Sequence, residues 1–207
     1  MAAEKTDFKR ALKSLYAPER RAGIHAVTAP PMRFLMIDGK GDPNGPAFGE
    51  AVAALYSVAY PLKFASKQQL GQDYVVPPLE ALWDADDIMS YARGERAEWR
   101  WTAMLMVPDW VRDDLIEAAF VKARSKGEMP LLDAVRVESF DEGRALQALH
   151  IGPYAAEAPL IAAMHAEAGR LGLALSGRHH EIYLSDPRKS APEKMKTVLR
   201  QPVEGGA

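Results

Sequence analysis

Cysteine is absent from this chain of 207 residues. Its absence excludes disulfide bonds, thiolate zinc sites, iron–sulfur clusters and thiol nucleophiles together. Long apolar runs are absent as well, because no segment approaches the roughly 18 consecutive apolar residues of a membrane span. Residues 1–21 mix basic and acidic side chains and lack the apolar core of a signal peptide. We therefore expect a cytoplasmic protein that is neither secreted nor bound to a membrane.

An excess of charge of either sign is also missing. Lys and Arg number 26 and Asp and Glu number 28, which gives a formal charge of -2. A nucleic-acid-binding protein would need a basic patch or stripe, so no nucleic-acid partner is expected. With 48% hydrophobic and 26% charged residues, the composition is that of an ordinary globular protein, either one full-sized domain or two small ones. The chemistry that remains available is that of carboxylates, histidines, hydroxyls and aromatic rings.

Several catalytic and cofactor motifs are missing too. The sequence has no Gly-x-Ser-x-Gly elbow, no His-Glu-x-x-His helix and no complete phosphate-binding loop. His179 and His180 are adjacent on a predicted strand, so their side chains point to opposite faces and cannot hold one metal ion together. Neither a metal site nor a cofactor is expected.

The sequence does contain alternating strand and helix patterns, which predict an α+β fold. Helices are predicted to begin near Pro46, Val111 and Pro159, where apolar residues recur at three-to-four spacing. Pro61 is expected to end or kink the first of them. Strands are predicted at residues 33–38, 74–83, 99–106, 134–140, 145–151, 178–184 and 197–203.

Turn residues and prolines predict how some of these strands pair. Pro77 and Pro78 confine the strand at 74–83 to a sheet edge, because proline cannot donate a ladder hydrogen bond. The turn at residues 141–143 predicts a hairpin between its two flanking strands. The segment at 197–203 is expected to be a closing edge strand.

The two halves of the chain resemble each other. A strand and a turn with glycine and proline lead into a long helix near Gly41 and again near Gly152, an offset of 111 residues. The pattern predicts a strand–helix–strand–strand module used twice, at about 32–130 and 131–203, with pseudo-twofold symmetry. The expected fold has antiparallel sheets, helices outside and a central ligand cleft, preceded by an N-terminal arm at residues 1–31.

Glu181 and Tyr183 are the first candidates for chemistry. Residues 178–184 alternate, so a strand there places these two side chains on one face. If that face lines a cleft, burial near aromatic rings raises the pKa of the carboxyl group. The alternative is a solvent-facing glutamate with a tyrosine at the rim, and alternation leaves both interpretations open.

Aromatic and methionine residues are candidate ligand contacts. Trp83, Trp101, Met104 and Tyr154 are assigned to a pocket, because Trp and Tyr supply flat contact area and Met adapts its shape. The alternative is that strand residues of these types fill the core, which is expected for Trp99. Trp101 and Met104 belong to opposite faces of one strand, so at most one of them faces a cleft.

Several of these segments resemble the GyrI-like small-molecule-binding family. The resemblance is carried by residues 74–83, 99–110, 150–154, 179–188 and 196–203. The most specific part is His-His-Glu-Ile-Tyr-Leu-Ser-Asp-Pro-Arg at 179–188. The resemblance implies a duplicated module whose central cleft has a carboxylate at its base and binds lipophilic, often cationic compounds. It also favours the cleft-facing interpretation of Glu181 and Tyr183.

The resemblance also suggests an activity. A freestanding member without a DNA-binding domain is similar to the subgroup of cyclopropanoid cyclopropyl hydrolases, which detoxify alkylating cyclopropane compounds. The functional Glu-x-Tyr pair of that subgroup corresponds to Glu181 and Tyr183. Glu181 would direct water onto the strained ring, and Tyr183 would hydrogen-bond the dienone oxygen.

Two other functions remain open. The first is a non-catalytic multidrug-binding or sensor protein, in which Glu181 is the counter-charge to a cationic dye and Trp83 or Tyr154 adds a cation–π contact. The second is a gyrase-inhibitor-like interaction protein, for which the linear charge pattern offers no acidic or apolar patch. The expected partners are small hydrophobic or cationic aromatic ligands, with the chain as a monomer or a homodimer.

Overall fold

The computed structural model describes residues 5–84 and 96–205. In this part of the chain the strands are β1 (His25–Ala29), β2 (Met32–Lys40), β3 (Leu79–Asp84), β4 (Arg100–Val107), β5 (Arg136–Phe140), β6 (Gly143–Ile151), β7 (Ala174–Leu175), β8 (His179–Tyr183) and β9 (Lys196–Glu204). The α-helices are α1 (Phe8–Ala11), α2 (Lys13–Tyr16), α3 (Pro46–Ala65), α4 (Asp113–Arg124) and α5 (Ala158–Arg170). None of the described helices is long and apolar enough to cross a bilayer.

The strands form one large antiparallel sheet. Their order is β1-β6-β9-β8-β3-β4-β2-β5, and β7 pairs with the end of β9. This sheet with its helices confirms the predicted α+β class. Two adjoining sheets were expected. The structure has one continuous sheet instead, because β3 and β8 pair directly at its centre.

The strand order is the same on both sides of the β3–β8 seam. One side is built from β2, α3, β3 and β4, and the other from β6, α5, β8 and β9. Each set therefore runs strand–helix–strand–strand, with the short β7 between α5 and β8. Origin of the two sets by duplication stays a prediction.

Two short connections require the sheet to curl, one at residues 30–31 between β1 and β2 and the other at residues 141–142 between β5 and β6. Pro30 and Pro31 alone separate β1 from β2, although these strands lie near opposite ends of the order. In a flat sheet they would be about 29 Å apart, since neighbouring strands are about 4.8 Å apart. Three peptide units span at most about 11 Å, so the two ends of the sheet must approach each other.

Three predictions about strand neighbours are wrong, one hairpin and two edge strands. In each case the prediction missed a partner strand that is distant in sequence. β5 pairs with β2, and β6 pairs with β1 and β9, so the predicted hairpin does not form. β3 is a central strand between β8 and β4, since Pro77 and Pro78 precede its first residue, Leu79. β9 lies between β6 and β8 and is central as well.

Pro61 was expected to end or kink the long helix α3; the helix continues through Pro61 to Ala65, so it does not end there. Proline removes one helical hydrogen bond. The flanking side chains of Val58 and Leu62 are almost fully buried, and burying such a side chain contributes about 1.5–3 kcal/mol. Tertiary packing therefore outweighs the local penalty.

Different elements cover the two faces of the sheet. The helix face carries α3 and α4 over one half and α5 over the other. The opposite face, here called the N-terminal face, is covered by α1 and α2, where Phe8 and Tyr16 are buried. Residues 5–31 of the predicted N-terminal arm are thus part of the packed fold, and they include the edge strand β1.

Candidate functional site

A cavity of about 1430 Å³ opens on the helix face at the seam between β3 and β8. Phe48 and Tyr56 of α3 form one wall. Tyr154 and Ile161, from α5 and the turn before it, line the other side. The helices of the two halves thus stand on either side of a cleft whose floor is provided by the central strands.

Glu181 lies at this floor. Its partners across the sheet are Ala81 on β3 and Leu199 on β9, neither of which can neutralise a charge. Burial raises the pKa of Glu181 to about 7, and the hydrogen bond from Tyr183 and the positive charge of His180 oppose this rise. The carboxyl group can therefore exchange a proton near neutral pH.

Tyr183 and Trp83 hold the Glu181 carboxylate in place. The Tyr183 hydroxyl donates to Oε2 of Glu181 at 2.8 Å and accepts from Nε1 of Trp83 at 3.1 Å. Burial and the adjacent carboxylate raise the pKa of Tyr183 well above its ordinary value. The single hydroxyl proton of Tyr183 is thus directed at Glu181.

A second carboxyl group, Glu157, lines the same cavity. It immediately precedes α5, is only 4% exposed, and its buried Oε1 has no hydrogen-bond partner among the described residues. Burial and the negative charge of Glu181 raise the pKa of Glu157 to about 9, and the Thr197 hydroxyl only partly offsets them. Sequence reasoning missed this residue, although an isolated glutamate among alanines after the turn at Gly152 was a usable signal.

Comparison with known proteins assigns the family of this fold. A family model described as the GyrI-like small molecule binding domain matches residues 24–204, which include every strand described above. The chain belongs to the GyrI-like family. Its small-molecule-binding domain therefore occupies nearly the whole sequence, as the resemblance of its motifs suggested.

Solved structures agree with this assignment. A crystal structure of an uncharacterized conserved protein from Listeria innocua is 41% identical, with a TM-score of 0.88, and the match covers 97% of this chain and 100% of that chain. A crystal structure of a hydrolase from Listeria innocua is 39% identical, with a TM-score of 0.83 and the same coverage. The EcmrR C-terminal domain shares the fold at 11% identity and a TM-score of 0.57, over 87% of this chain and 96% of that one. No curated protein matches the chain significantly.

Two of the four predicted ligand contacts lie at the cavity of this GyrI-like domain. Trp83 stacks on Phe48 with ring centroids 5.8 Å apart. Tyr154 is 39% exposed and meets Tyr183 edge-on at 5.6 Å. Both line the cavity together with Glu181, so the structure brings the predicted pair and these aromatic rings to one place.

The other two predicted contacts lie elsewhere. Trp101 shares the helix face but is 2% exposed, packed edge-on against Phe48 and absent from the cavity lining. Met104 is fully buried on the N-terminal face, because its position on β4 differs from that of Trp101 by an odd number of residues. Trp99, which was expected in the core, lines the cavity instead and meets Trp83 edge-on at 5.9 Å. Met104 is thus corrected to a core residue.

His179 also faces the cavity, beside Glu181. Its Nε2 lies 3.7 Å from Oε1 of Glu181, which is too long for a hydrogen bond. Burial and the positive charge of His180 lower the pKa of His179 to about 3, so its ring is neutral. No group of three or more His, Asp or Glu side chains in residues 5–84 and 96–205 is arranged to hold a metal ion.

A buried ion cluster lies on the N-terminal face directly behind Glu181. The two ring nitrogens of His180 are each 2.9 Å from a carboxylate oxygen, one of Glu80 and one of Glu142. Arg200 pairs with Glu142 at 2.6 Å, and the Tyr16 hydroxyl donates to Glu80 at 2.8 Å. Two carboxylates and two cations thus balance within the core.

The partners of His180 decide its charge. Burial lowers the pKa of His180, but the charge and hydrogen bond of Glu142 and the close Glu80 carboxylate outweigh it and raise the pKa to about 9. Burial raises the pKa of Glu142, but His180 and Arg200 reverse this and hold it at about 2. The cluster therefore places a positive charge next to Glu181 in the sequence and across the sheet from the cavity.

Proposed function

We propose that this GyrI-like protein hydrolyses small cyclopropanoid compounds, in which a strained cyclopropane ring is joined to a dienone. The observation that carries the proposal is the Glu181 carboxyl group, buried at the floor of an aromatic cavity and oriented by Tyr183. The 39% identical hydrolase from Listeria innocua supports a hydrolytic activity. Such an activity would detoxify alkylating agents.

The cavity suits planar ligands. Trp83, Phe48 and Tyr154 present aromatic faces and edges along its walls. Its volume of about 1430 Å³ exceeds the roughly 300–1,000 Å³ of common ligand pockets, so a compound of several fused rings can enter. Aromatic walls bind such a compound through large contact area at low entropic cost.

Glu181 is suited to act as the general base. A base is most effective when its pKa lies close to the operating pH, and the pKa of Glu181 is about 7. The ionised carboxylate takes a proton from a water molecule, whose oxygen attacks the methylene carbon of the cyclopropane. The bond between that carbon and the spiro carbon breaks, and its electron pair converts the dienone into an aromatic phenolate.

Turnover of a spirocyclopropyl-dienone compound tests the proposal. Wild-type protein at one hundredth of the substrate concentration is expected to convert all of it, measured by the absorbance of the phenol product. Glu181→Gln should lower kcat by about 10²–10⁴, because glutamine cannot accept the proton. Glu167→Gln is the matched control, since Glu167 pairs with Arg170 on the exposed surface of α5. Full activity of Glu181→Gln would exclude Glu181 as the base.

A non-catalytic binding protein is the second candidate. It is favoured by the family assignment and by a carboxylate among aromatic rings, which can bind a cationic aromatic ligand by charge and cation–π contact. In that case the amount of product does not exceed one equivalent per protein. Affinity for a cationic dye would then fall as the pH drops below about 7, where Glu181 becomes protonated.

A further inference from the structure

The cavity contains more carboxyl groups than the base mechanism needs. Glu157 approaches Glu181 from the turn before α5 and is almost completely buried. The groups that face it are Glu181 and Tyr183 of β8, Thr197 of β9 and Tyr154 of its own turn. Its buried Oε1 is left without a partner in the described part of the chain, which is unusual for a buried polar atom.

Ring opening needs a proton donor as well as a base, because negative charge develops on the dienone oxygen. Tyr183 cannot fill this role while its only proton is donated to Glu181 at 2.8 Å. The indole N–H of Trp83 is likewise directed at the Tyr183 hydroxyl. His179 is neutral and lies beside the base, Glu181. These groups orient the base and leave the oxygen of the substrate without an acid.

Among the cavity-lining groups that feel the charge of Glu181, Glu157 and Tyr154 still carry protons. The product is a phenol, whose ordinary pKa is about 10. Proton transfer to it from Glu157, with a pKa of about 9, is downhill. Transfer from Tyr154 is uphill, because burial and the nearby carboxyl groups raise the pKa of its hydroxyl to about 12. Tyr154 can donate a hydrogen bond, but Glu157 is the better acid.

We propose that Glu157 is the proton donor of this site and that Tyr183 is a positioning residue for Glu181. This inference rests on the proposed hydrolysis. Glu181 takes a proton from water, the water oxygen bonds to the ring methylene carbon, and the bond from that carbon to the spiro carbon breaks. The released electron pair reaches the dienone oxygen, which takes the proton of Glu157. Glu157 ends ionised and Glu181 protonated, and proton exchange with solvent resets both.

The combination of Glu157 as acid and Glu181 as base follows a general pattern of acid–base sites. Two carboxyl groups in one low-dielectric cavity cannot both ionise easily, so one loses its proton first and the other keeps it. Here the hydrogen bond from Tyr183 and the charge of His180 favour ionisation of Glu181. In the described part of the chain, only the nearby Thr197 hydroxyl favours the ionised form of Glu157, and the Thr197 Oγ1 itself forms no hydrogen bond there. At neutral pH the pair therefore holds a base and an acid together.

The pH dependence of kcat/KM tests the assignment. Wild-type protein is expected to give a bell-shaped profile, with an acid limb near pH 7 from Glu181 and an alkaline limb near pH 9 from Glu157. Glu157→Gln should lower kcat by about 10²–10⁴ and abolish the alkaline limb, while the acid limb remains. Glu167→Gln should keep both limbs. A Glu157→Gln enzyme with wild-type rate and an intact alkaline limb overturns the proposal and leaves the hydrolase function standing.

A second measurement does not depend on turnover. The infrared spectrum of wild-type protein at pH 8 minus that at pH 10.5 is expected to contain the carbonyl stretch of essentially one protonated buried carboxyl group, since Glu181 is largely ionised at pH 8. The band should disappear in Glu157→Gln and persist in Glu167→Gln. If wild-type protein hydrolyses no cyclopropanoid, the proposed function fails, and the infrared result then decides the protonation of Glu157 separately. Absence of the band in wild-type protein overturns the assignment of Glu157 as an acid.

Discussion

Replacing His180 with glutamine tests whether a positive charge is buried behind the cavity. Each ring nitrogen of His180 lies 2.9 Å from a carboxylate oxygen of Glu80 or Glu142. Glutamine can form hydrogen bonds in this place but cannot carry charge. Removing one partner from a buried ion pair typically costs about 3–5 kcal/mol, because the remaining charge stays buried.

The pKa of His180 determines how this cost depends on pH. It is raised from 6.5 to about 9, so the stabilisation is fully present below about pH 6.5 and is lost as the pH rises through about 9. At about 1.4 kcal/mol per pKa unit, the difference between these two values corresponds to a stabilisation of about 3 kcal/mol. Most of this stabilisation is lost between pH 6 and pH 9.

Urea unfolding, followed by tryptophan fluorescence at pH 6, 7, 8 and 9, measures the effect. The quantity of interest is the free energy of unfolding of wild-type protein minus that of His180→Gln. Glu157 and Glu181 also titrate in this range, but they do so in both proteins and largely cancel in the difference. His25→Gln serves as the control, since the described contacts of the His25 ring are the Gly23 carbonyl and the Gln147 side chain rather than a carboxylate.

The difference in free energy of unfolding between wild-type protein and His180→Gln should shrink by about 3 kcal/mol from pH 6 to pH 9. A difference that stays constant within about 1 kcal/mol over this range would refute the reasoning, because His180 would then be neutral in the folded protein. In the active protein, His180→Gln should also move the acid limb of the pH profile to higher pH. The reason is that the charge of His180 lowers the pKa of Glu181.

Two further predictions concern packing and hydrogen bonding. A Cβ at Gly39 would overlap the indole ring of Trp101, so Gly39→Ala should cost about 1–3 kcal/mol, and an unchanged Tm would contradict this. Tyr16→Phe removes the donor to Glu80 and should lower the free energy of unfolding by about 1–3 kcal/mol in urea. Tyr60→Phe, at a residue that is 50% exposed, should change it by less than about 0.5 kcal/mol, and equal losses in both variants would argue against the buried bond.

Local patterns in the sequence were informative wherever the structure depends on neighbouring residues. Alternation in β8 correctly placed Glu181 and Tyr183 on one face and His180 on the other. The same alternation of side chains placed Trp101 and Met104 on opposite faces of β4, but it did not indicate which of these faces the helices cover. That choice depends on where α3 packs, which the alternation of β4 does not encode.

Pairing of distant segments was the part that sequence patterns missed. Pro77 and Pro78, inside the predicted strand at 74–83, suggested an edge strand. The observed strand β3 begins after them and pairs on both sides. A turn at 141–143 suggested a hairpin, yet the curl of the sheet brings the ends of β5 and β6 together without pairing them. Both errors arise because turn chemistry is local and strand order is set by the whole sheet.

The sequence alone thus determined the α+β class, the GyrI-like resemblance, and the shared face of Glu181 and Tyr183. Only the tertiary structure decided that Glu157 joins Glu181 in one cavity, and that His180 is charged behind it. The physical reason is that a pKa and a pocket depend on desolvation and on charges from distant strands, whereas side-chain direction in a strand follows from the backbone geometry of adjacent residues.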